Sequence, residues 1–171
     1  MSMVGHIVGL GDRHGGNILL DTQTGAIQHI DFNCIFEKGH HLQIPERVPF
    51  RLTQNMVDAF GLGGVEGNCE VTLRVLQDNR DLLMSVLDMF KHDPLREWSN
   101  SRGRGMLRNV HTGEEQEKAN RVLQVVDWKL HGEVDNAKEP PPIKEQVDRL
   151  ISEATNATNL SRMFIGWVPF L

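Results

Sequence analysis

The hydrophobic positions of this chain follow two different periods. Short apolar runs at residues 17–20 and 26–30 flank a polar turn that ends in Gly25, a pattern that predicts a β-hairpin. Elsewhere the apolar residues recur at steps of three and four, which is the spacing of amphipathic helices. We therefore predict a mostly helical α+β fold with one short hairpin.

The helical stripes can be placed along the chain in order. Residues 1–10 are apolar and predict the end of a buried helix. Thr53 is suited to cap a helix that Gly61, Gly63 and Gly64 would stop. Two further helices should meet near residues 78–79, and the second should end at Asp93, with Trp98 anchoring its exit. The apolar residues of these two stripes are Cys69, Leu73, Leu76, Leu82, Leu83, Val86, Leu87 and Phe90.

The second half of the chain alternates between irregular and helical patterns. Residues 32–46 show no period and predict a loop, and residues 99–113 predict a mobile insertion rich in Gly, Arg, Ser and Asn. A helix is expected over residues 114–130, followed by a linker at 132–142 that three prolines make stiff. The last helix begins at Ile143, and an aromatic tail follows it at residues 163–171.

Composition and charge exclude several classes of protein. The 171 residues carry a net charge of -5, which argues against direct contact with nucleic acid. The basic cluster of Arg102, Arg104 and Arg108 is interpreted as a solvated loop. Cys34 and Cys69 lie in apolar settings and are expected to be reduced thiols. No apolar run reaches the roughly 18–20 residues of a membrane span, and the first residues lack the basic region of a signal peptide.

The candidate chemistry is concentrated in Asp12, Asn17 and Asp31. The five-residue step from Asp12 to Asn17 equals the Asp-to-Asn step of the protein-kinase catalytic loop. In that chemistry the first Asp orients the attacking hydroxyl, while the Asn and a later Asp-Phe hold Mg²⁺ on the nucleotide phosphates. The alternative is an ordinary polar turn. The kinase interpretation is favoured because the predicted hairpin would bring Asn17 and Asp31 close together.

The order Asp12-Arg13-His14 reverses the familiar His-Arg-Asp, and in this it resembles the phosphatidylinositol 3-kinase superfamily. Residues 146–171, which include Gly166-Trp167, resemble the FATC domain that ends the protein kinases of that superfamily. Residues 31–34, 48–57, 69–72, 84–87 and 92–95 resemble the ATR-type checkpoint kinases. The resemblance implies the C-terminal lobe of a PI3/PI4-kinase-like catalytic domain (1–98), an insertion with a helix and linker (99–142) and a FATC domain (143–171). It also makes residues 32–49 the activation segment.

The same resemblance assigns roles to individual residues. It makes Asp12 the carboxylate that orients the substrate, and His14 a hydrogen-bond donor to the transferring phosphate or the attacking hydroxyl. Asn17 and Asp31 would hold Mg²⁺ or Mn²⁺ between the phosphates of ATP, while Arg13 would support the packing of the loop. The implied function is a nuclear serine/threonine kinase for Ser/Thr-Gln sites in DNA damage and replication checkpoint signalling. Such enzymes work with a checkpoint partner subunit.

The chain departs from this family at two places. Position 6 is His where Tyr is usual, and we assign it no role. Around Asn68 the chain is shorter by about one helical turn, which is expected to weaken the packing below the activation segment. In addition, the eleven residues before Asp12 cannot hold a nucleotide-binding lobe, so we expect no phosphotransfer by the chain alone.

Two other functions stay open, and the tail carries its own prediction. A lipid kinase shares these motifs, but recognition of a phosphorylated headgroup needs cations, and residues 37–42 offer only Lys38 and two mostly neutral histidines. The other alternative is a non-catalytic fragment that binds partners through its helices and tail. For the tail, we expect residues 143–155 and Trp167 to pack against the kinase lobe near the activation segment. Little of the tail's apolar surface should remain in water.

Overall fold

The fold begins with a short buried helix that leads into the candidate catalytic loop. In a computed structural model, which describes residues 1–89, 113–134 and 138–170, α1 spans Ser2–Ile7. Met3 and Ile7 face the core, being 1% and 3% exposed. The helix predicted over the first ten residues is confirmed.

A two-stranded hairpin follows the loop. β1 (Ile18–Leu20) pairs antiparallel with β2 (Ile27–His29), and Ile18 lies opposite His29. The turn between the strands is held by the Asp21 carboxylate, which accepts the backbone N–H of Gln23 at 2.8 Å. The predicted hairpin is confirmed, and its register places the C-terminal end of β2 beside the start of β1.

The predicted end of the helix that follows Thr53 is confirmed at Gly61, but Gly63 and Gly64 do not keep the next residues from being helical. α2 (Gln54–Phe60) ends at Gly61, whose φ of +69° a side chain would strain, but α3 (Leu62–Asp78) begins immediately afterwards. Gly63 and Gly64 therefore lie in the first turn of α3. An interior glycine costs only about 1 kcal/mol relative to alanine, and burial of the side chains farther along α3 outweighs that cost.

α3 is continuous around Asn68, where we predict that the chain is shorter than its family. The Asn68 amide donates to the Gly64 carbonyl at 2.7 Å, and the next residue, Cys69, is 8% exposed. α3 ends at Asp78 and α4 (Arg80–Met89) begins after Asn79, so the predicted break is confirmed. Both cysteines are free thiols.

The main core forms where α1, α3 and α6 (Ile143–Ala154) meet. Leu73 of α3 is 1% exposed, and α5 (Gly113–Leu130) adds Val126 and Leu130 from the other side. The predicted helices over 114–130 and from residue 143 are thus confirmed. α6 contributes the face Val147, Leu150, Ile151 and Ala154 to this core.

A smaller apolar cluster lies apart from the main core. It consists of Leu160, at the end of α7 (Ala157–Leu160), with Met163, Trp167 and the partly buried Val48. Trp167 is 5% exposed, so its predicted burial is confirmed. α6 packs mainly on α3, where its apolar face meets the buried apolar stripe of that helix, and its Glu153 shares a pocket with residues of the activation segment.

The prediction that little apolar surface of the aromatic tail would remain in water is wrong for three of its residues. Phe164, Ile165 and Phe170 are 55%, 87% and 59% exposed, because only Trp167 and Met163 find apolar neighbours. The predictions for residues 90–112, including the insertion, Trp98 and the arginine cluster, fall outside the described residues. Within the part of the chain that is described, no helix is both long and apolar enough to cross a bilayer.

Candidate active site

The loop from Gly9 to Asn17 connects α1 to the hairpin through two unusual backbone conformations. Gly9 has a φ of +61°, and Asp12 has a φ of +58°, which is uncommon for a residue with a side chain. Holding a non-glycine residue there costs on the order of 1 kcal/mol and persists only when the surroundings impose it. The Asp12 side chain is 46% exposed, so its carboxylate is open to a ligand.

Arg13 is the buried residue that fastens this loop to the hairpin. It is 4% exposed, and its guanidinium donates to the carbonyls of Gly11 and Ile30, both at 2.8 Å, and to the carbonyl of Asp31. Burial lowers the pKa of Arg13, but a guanidinium remains charged in proteins. The expected packing role of Arg13 is confirmed, and the two halves of the candidate site are joined through one side chain.

Asn17 and His14 both turn back towards Asp12. The Asn17 amide donates to the Asp12 carbonyl at 2.8 Å, which leaves its Oδ1 for another partner. The His14 Nδ1 accepts the Gly16 N–H at 3.0 Å, while its Nε2 lies 3.9 Å from an Asp12 carboxylate oxygen. Three of the four predicted site residues therefore lie close together, within residues 12–17.

The fourth residue, Asp31, comes directly after the second strand. The Ile30 N–H donates to the Asn17 carbonyl at 3.0 Å, so the hairpin holds Asp31 beside Asn17. Asp31 also has a positive φ of +57°, and one of its carboxylate oxygens accepts the Asn33 N–H at 3.1 Å. Its side chain belongs to an exposed residue and retains oxygen lone pairs for a cation.

The donor chemistry of these residues fits Mg²⁺ and ATP. Mg²⁺ prefers oxygen ligands and is usually bound through one or two side chains together with substrate phosphates. The Asn17 Oδ1 and the Asp31 carboxylate provide such a pair. No group of three or more His, Cys, Asp or Glu suited to a metal occurs among the described residues. A metal site that is completed by phosphate oxygens does not require such a group of protein side chains.

The activation segment is attached to the rest of the molecule by charged side chains. Glu37 binds Lys129 of α5, and its other oxygen lies 2.8 Å from the His40 ring. Burial alone would raise the pKa of Glu37, but the hydrogen bond from His40 and the charge of Lys129 lower it to about 2. Glu46 accepts the Asp12 N–H at 2.8 Å, and burial raises its pKa.

A second set of charges joins the helix α6 to the start of the catalytic loop. Glu133, which follows α5, lies 3.2 Å from the ring of the buried His6 and 2.5 Å from the Arg149 guanidinium of α6. Burial lowers the pKa of His6, so the ring is neutral at pH 7. His6, to which we assigned no role from the sequence, therefore connects α1 to α6 through Glu133.

Three residues near the site, Glu46, Glu133 and Lys129, were not predicted from the sequence. Glu46 and Glu133 lie in irregular stretches and Lys129 lies in the predicted helix over residues 114–130. Each contacts a residue more than thirty positions away. In the structure, an added Cβ at Gly11 would meet a Glu46 oxygen at 2.3 Å. Glycine is needed at that position because the Glu46 carboxylate lies beside it.

The chain matches two models of known protein families. The family model described as "Phosphatidylinositol 3- and 4-kinase" matches residues 1–100, more than half of the chain. The chain belongs to this family. A FATC domain model matches residues 140–171, which confirms the resemblance of the C-terminal residues. The division of the chain at residues 98 and 142 stays a prediction.

The relatives of this PI3/PI4-kinase family member include checkpoint kinases of the ATR, Rad3 and Mec1 type. The chain is 47% identical to the Arabidopsis thaliana serine/threonine-protein kinase ATR and 46% identical to the Schizosaccharomyces pombe protein kinase rad3. Each alignment covers 99% of this chain but only 6% and 7% of the relative. The chain thus spans only a small part of the length of these kinases. That part comprises the C-terminal lobe and the FATC domain.

Solved structures support the same fold. The complete CtTel1 dimer matches with a TM-score of 0.80 and 36% identity, covering 99% of this chain and 6% of that chain. The FAT and kinase domain of CtTel1 matches with the same score and identity, over 11% of its length. The predicted mostly helical kinase lobe with a short hairpin and a FATC domain is confirmed.

Proposed function

We propose that this chain supplies the catalytic loop and metal-binding residues of a serine/threonine protein kinase. Its reaction is transfer of the γ-phosphate of ATP to Ser or Thr followed by Gln, in nuclear DNA damage and replication checkpoint signalling. The observation that carries the proposal is the set of hydrogen bonds from the Arg13 guanidinium. These bonds join the carbonyls that follow β2 to the loop of Asp12.

The residues have distinct parts in this reaction. Asp12 orients the attacking hydroxyl and accepts its proton, and His14 donates to the phosphate or the hydroxyl from beside it. Asn17 and Asp31 hold Mg²⁺, which supplies charge neutralisation at the phosphates when bound. Because phosphoryl transfer depends mainly on positioning and electrostatics, a loop fixed before the substrates arrive is the main contribution of this chain.

The surroundings of the activation segment favour a protein substrate over a phosphorylated lipid headgroup. His40 is engaged by Glu37 and by the Glu46 carbonyl, at 2.8 Å and 2.9 Å, so it is not available as a headgroup ligand. The Lys38 ammonium is exposed and lies 3.5 Å from the Asn33 carbonyl. Within residues 37–42 this leaves Lys38 as the one permanently charged cation, whereas a phosphorylated headgroup is usually bound by several.

The proposal is tested in a chimaera, because the chain corresponds to a small part of its relatives. This chain replaces the matching residues of Schizosaccharomyces pombe protein kinase rad3, and Mg²⁺-dependent transfer from ATP is measured. We expect phosphorylation of a Ser-Gln peptide, weaker phosphorylation of its Ser-Ala counterpart and none of phosphatidylinositol vesicles. Asp12→Asn should abolish transfer, whereas Asp58→Asn, an exposed acid of α2, should not. Equal activity of the Asp12 variant would contradict the proposal.

The checkpoint partner subunit is part of the same proposal and can be tested separately. The relatives named above are kinases of this class, and the chain shares its whole length with them. We therefore expect the chimaera to retain the partner subunit of rad3, measured by co-purification. Localisation of the chimaera to the nucleus is checked in the same cells.

A further inference from the structure

The backbone of Asp12 is held by a side chain that lies outside the catalytic loop. The Asp12 N–H donates to the Oε1 of Glu46 at 2.8 Å, across 34 positions of sequence. Asp12 has the positive φ that the loop must keep in order to present its carboxylate. A charged acceptor on this N–H is a stronger restraint than a neutral one, so Glu46 favours the conformation that the loop would otherwise tend to leave.

The Glu46 carboxylate sits in a socket made by two glycines. A Cβ added to Gly11 or to Gly39 would meet its Oε2 at 2.3 Å or 2.1 Å, so neither position has room for a side chain. The backbone of Glu46 is fixed as well, because its N–H donates to the Gly39 carbonyl at 3.0 Å. Its carbonyl lies 2.9 Å from the His40 ring nitrogen. Glu46 thus has little freedom to move away from Asp12.

The socket also adjoins the FATC residues. The next residue, Arg47, donates its N–H to the Met163 sulfur at 3.3 Å, and Val48 packs on the cluster of Met163 and Trp167. The Trp167 indole N–H is buried without a hydrogen bond of standard geometry, although it lies near enough to Glu46 to favour its ionised form. Glu46 therefore lies between the FATC cluster and the loop of Asp12.

We propose that Glu46 is a positioning residue for phosphoryl transfer, which fixes Asp12 through its backbone N–H and connects the FATC cluster to the catalytic loop. The proposal rests on the proposed kinase function. Glu46 does not touch the substrates; it sets the direction of the Asp12 carboxylate. Loss of the acceptor should therefore lower turnover with little effect on ATP binding.

Two variants of Glu46 separate the acceptor from the charge. Glu46→Gln keeps an oxygen that can accept the Asp12 N–H, whereas Glu46→Met has a similar length and no oxygen. Both variants are neutral, so a difference between them reports the hydrogen bond alone. Glu145→Gln, at an exposed position of α6, serves as the matched control for loss of a carboxylate.

The contact is tested first in the 171-residue chain by amide hydrogen exchange. We expect Glu46→Met to raise the exchange rate of the Asp12 N–H by about tenfold relative to Glu46→Gln. The amide of Leu73, in the buried part of α3, should keep its rate, because only the loop is released. Equal Asp12 exchange in the two variants would overturn the contact. A parallel rise at Leu73 would show a general loss of stability and would overturn the positioning role.

The consequence for the reaction is tested in the rad3 chimaera. We expect Glu46→Met to lower kcat by about 10- to 100-fold, with a nearly unchanged KM for ATP, and Glu46→Gln to restore most of the rate. An inactive parent chimaera would count against the proposed kinase function, while the exchange experiment would still report on Glu46. An active parent whose Met and Gln variants have equal kcat would overturn the positioning role.

Discussion

The guanidinium of Arg51 lies over the indole ring of Trp167, 4.9 Å from the ring centroid. The same guanidinium donates to the carbonyls of Trp167 at 2.6 Å and Val168 at 2.9 Å. Arg51 is 8% exposed. One buried arginine, placed directly after the activation segment, therefore binds both the ring and the backbone of the C-terminal residues.

Replacing Arg51 by Ala should release these residues. The cation–π contact contributes about 0.5–2 kcal/mol, and each hydrogen bond from a charged donor about 1.5–3 kcal/mol. We expect trypsin to cleave after the exposed Arg162 at least about tenfold faster in Arg51→Ala than in the unsubstituted chain. Arg47→Ala is the matched control, because it removes an exposed arginine four positions earlier. Equal cleavage of the two variants would show that Arg51 does not hold the tail.

Arg13→Lys should destabilise the chain although it conserves the charge. A lysine ammonium cannot reproduce the planar fork that reaches the carbonyls of Gly11, Ile30 and Asp31. At least one buried carbonyl should lose its partner, at a cost of about 1–3 kcal/mol. The free energy of unfolding is measured by urea denaturation followed by circular dichroism. Arg121→Lys, whose side chain is 71% exposed on α5, should change it little; a similar loss there would contradict the explanation.

Asp31→Ala and Asn17→Ala should impair use of the metal in the chimaera. Each removes one proposed oxygen ligand, and we expect kcat to fall by at least about 100-fold. Asn17→Asp is the informative third variant. It keeps an oxygen for Mg²⁺ but loses the donor to the Asp12 carbonyl. Initial rates measured against Mg²⁺ concentration should show a raised Mg²⁺ requirement in the alanine variants. An unchanged requirement would refute the metal assignment.

The Glu133 carboxylate should make the stability of the chain sensitive to acid. Burial would raise its pKa, but the hydrogen bond from His6 and the charge of Arg149 lower it below the usual value of 4.5. A lowered folded-state pKa means that the contribution is fully present above pH 4.5 and is lost as the pH falls further. We expect Glu133→Gln to lose about 2 kcal/mol of stability at pH 7 and much less at pH 3.

The measurement for Glu133 is chemical denaturation across this pH range. Glu139→Gln, an exposed acid of the linker, is the control and should follow the parent curve. A constant difference between Glu133→Gln and the parent from pH 7 to pH 3 would show that the carboxylate charge is not the source of its contribution.

Local patterns predicted those parts of the fold that depend on neighbouring residues. The hairpin follows from two apolar runs and a turn, and the break at Asn79 follows from a change in the helical stripe. Gly63 and Gly64 were misjudged for a physical reason. Glycine is a weak helix breaker, and the packing of Leu73 against α1 and α6 overrides it.

Contacts over long sequence distances could not be predicted in this way. Glu133 is one polar residue in an irregular stretch, and nothing near it in sequence indicates His6 or Arg149 as its partners. The same holds for Glu46 and Asp12. The four candidate site residues were predicted from their spacing and from the resemblance to the kinase family, and their roles stay predictions, whereas the residues that hold them in place follow only from the three-dimensional fold.

The separation of the two apolar clusters has a consequence for folding and local opening. The contact between Arg51 and Trp167 closes a loop of 116 residues, which carries a loop-closure entropy cost before the contact forms. Among the described residues, Leu160, Met163 and Trp167 form an apolar cluster with the partly buried Val48 that is distinct from the main core. They therefore form a separate cooperative unit that can open while α1, α3 and α6 stay folded. Amides around residues 47–51 and 160–168 should then exchange together, by subglobal opening, ahead of those in the main core.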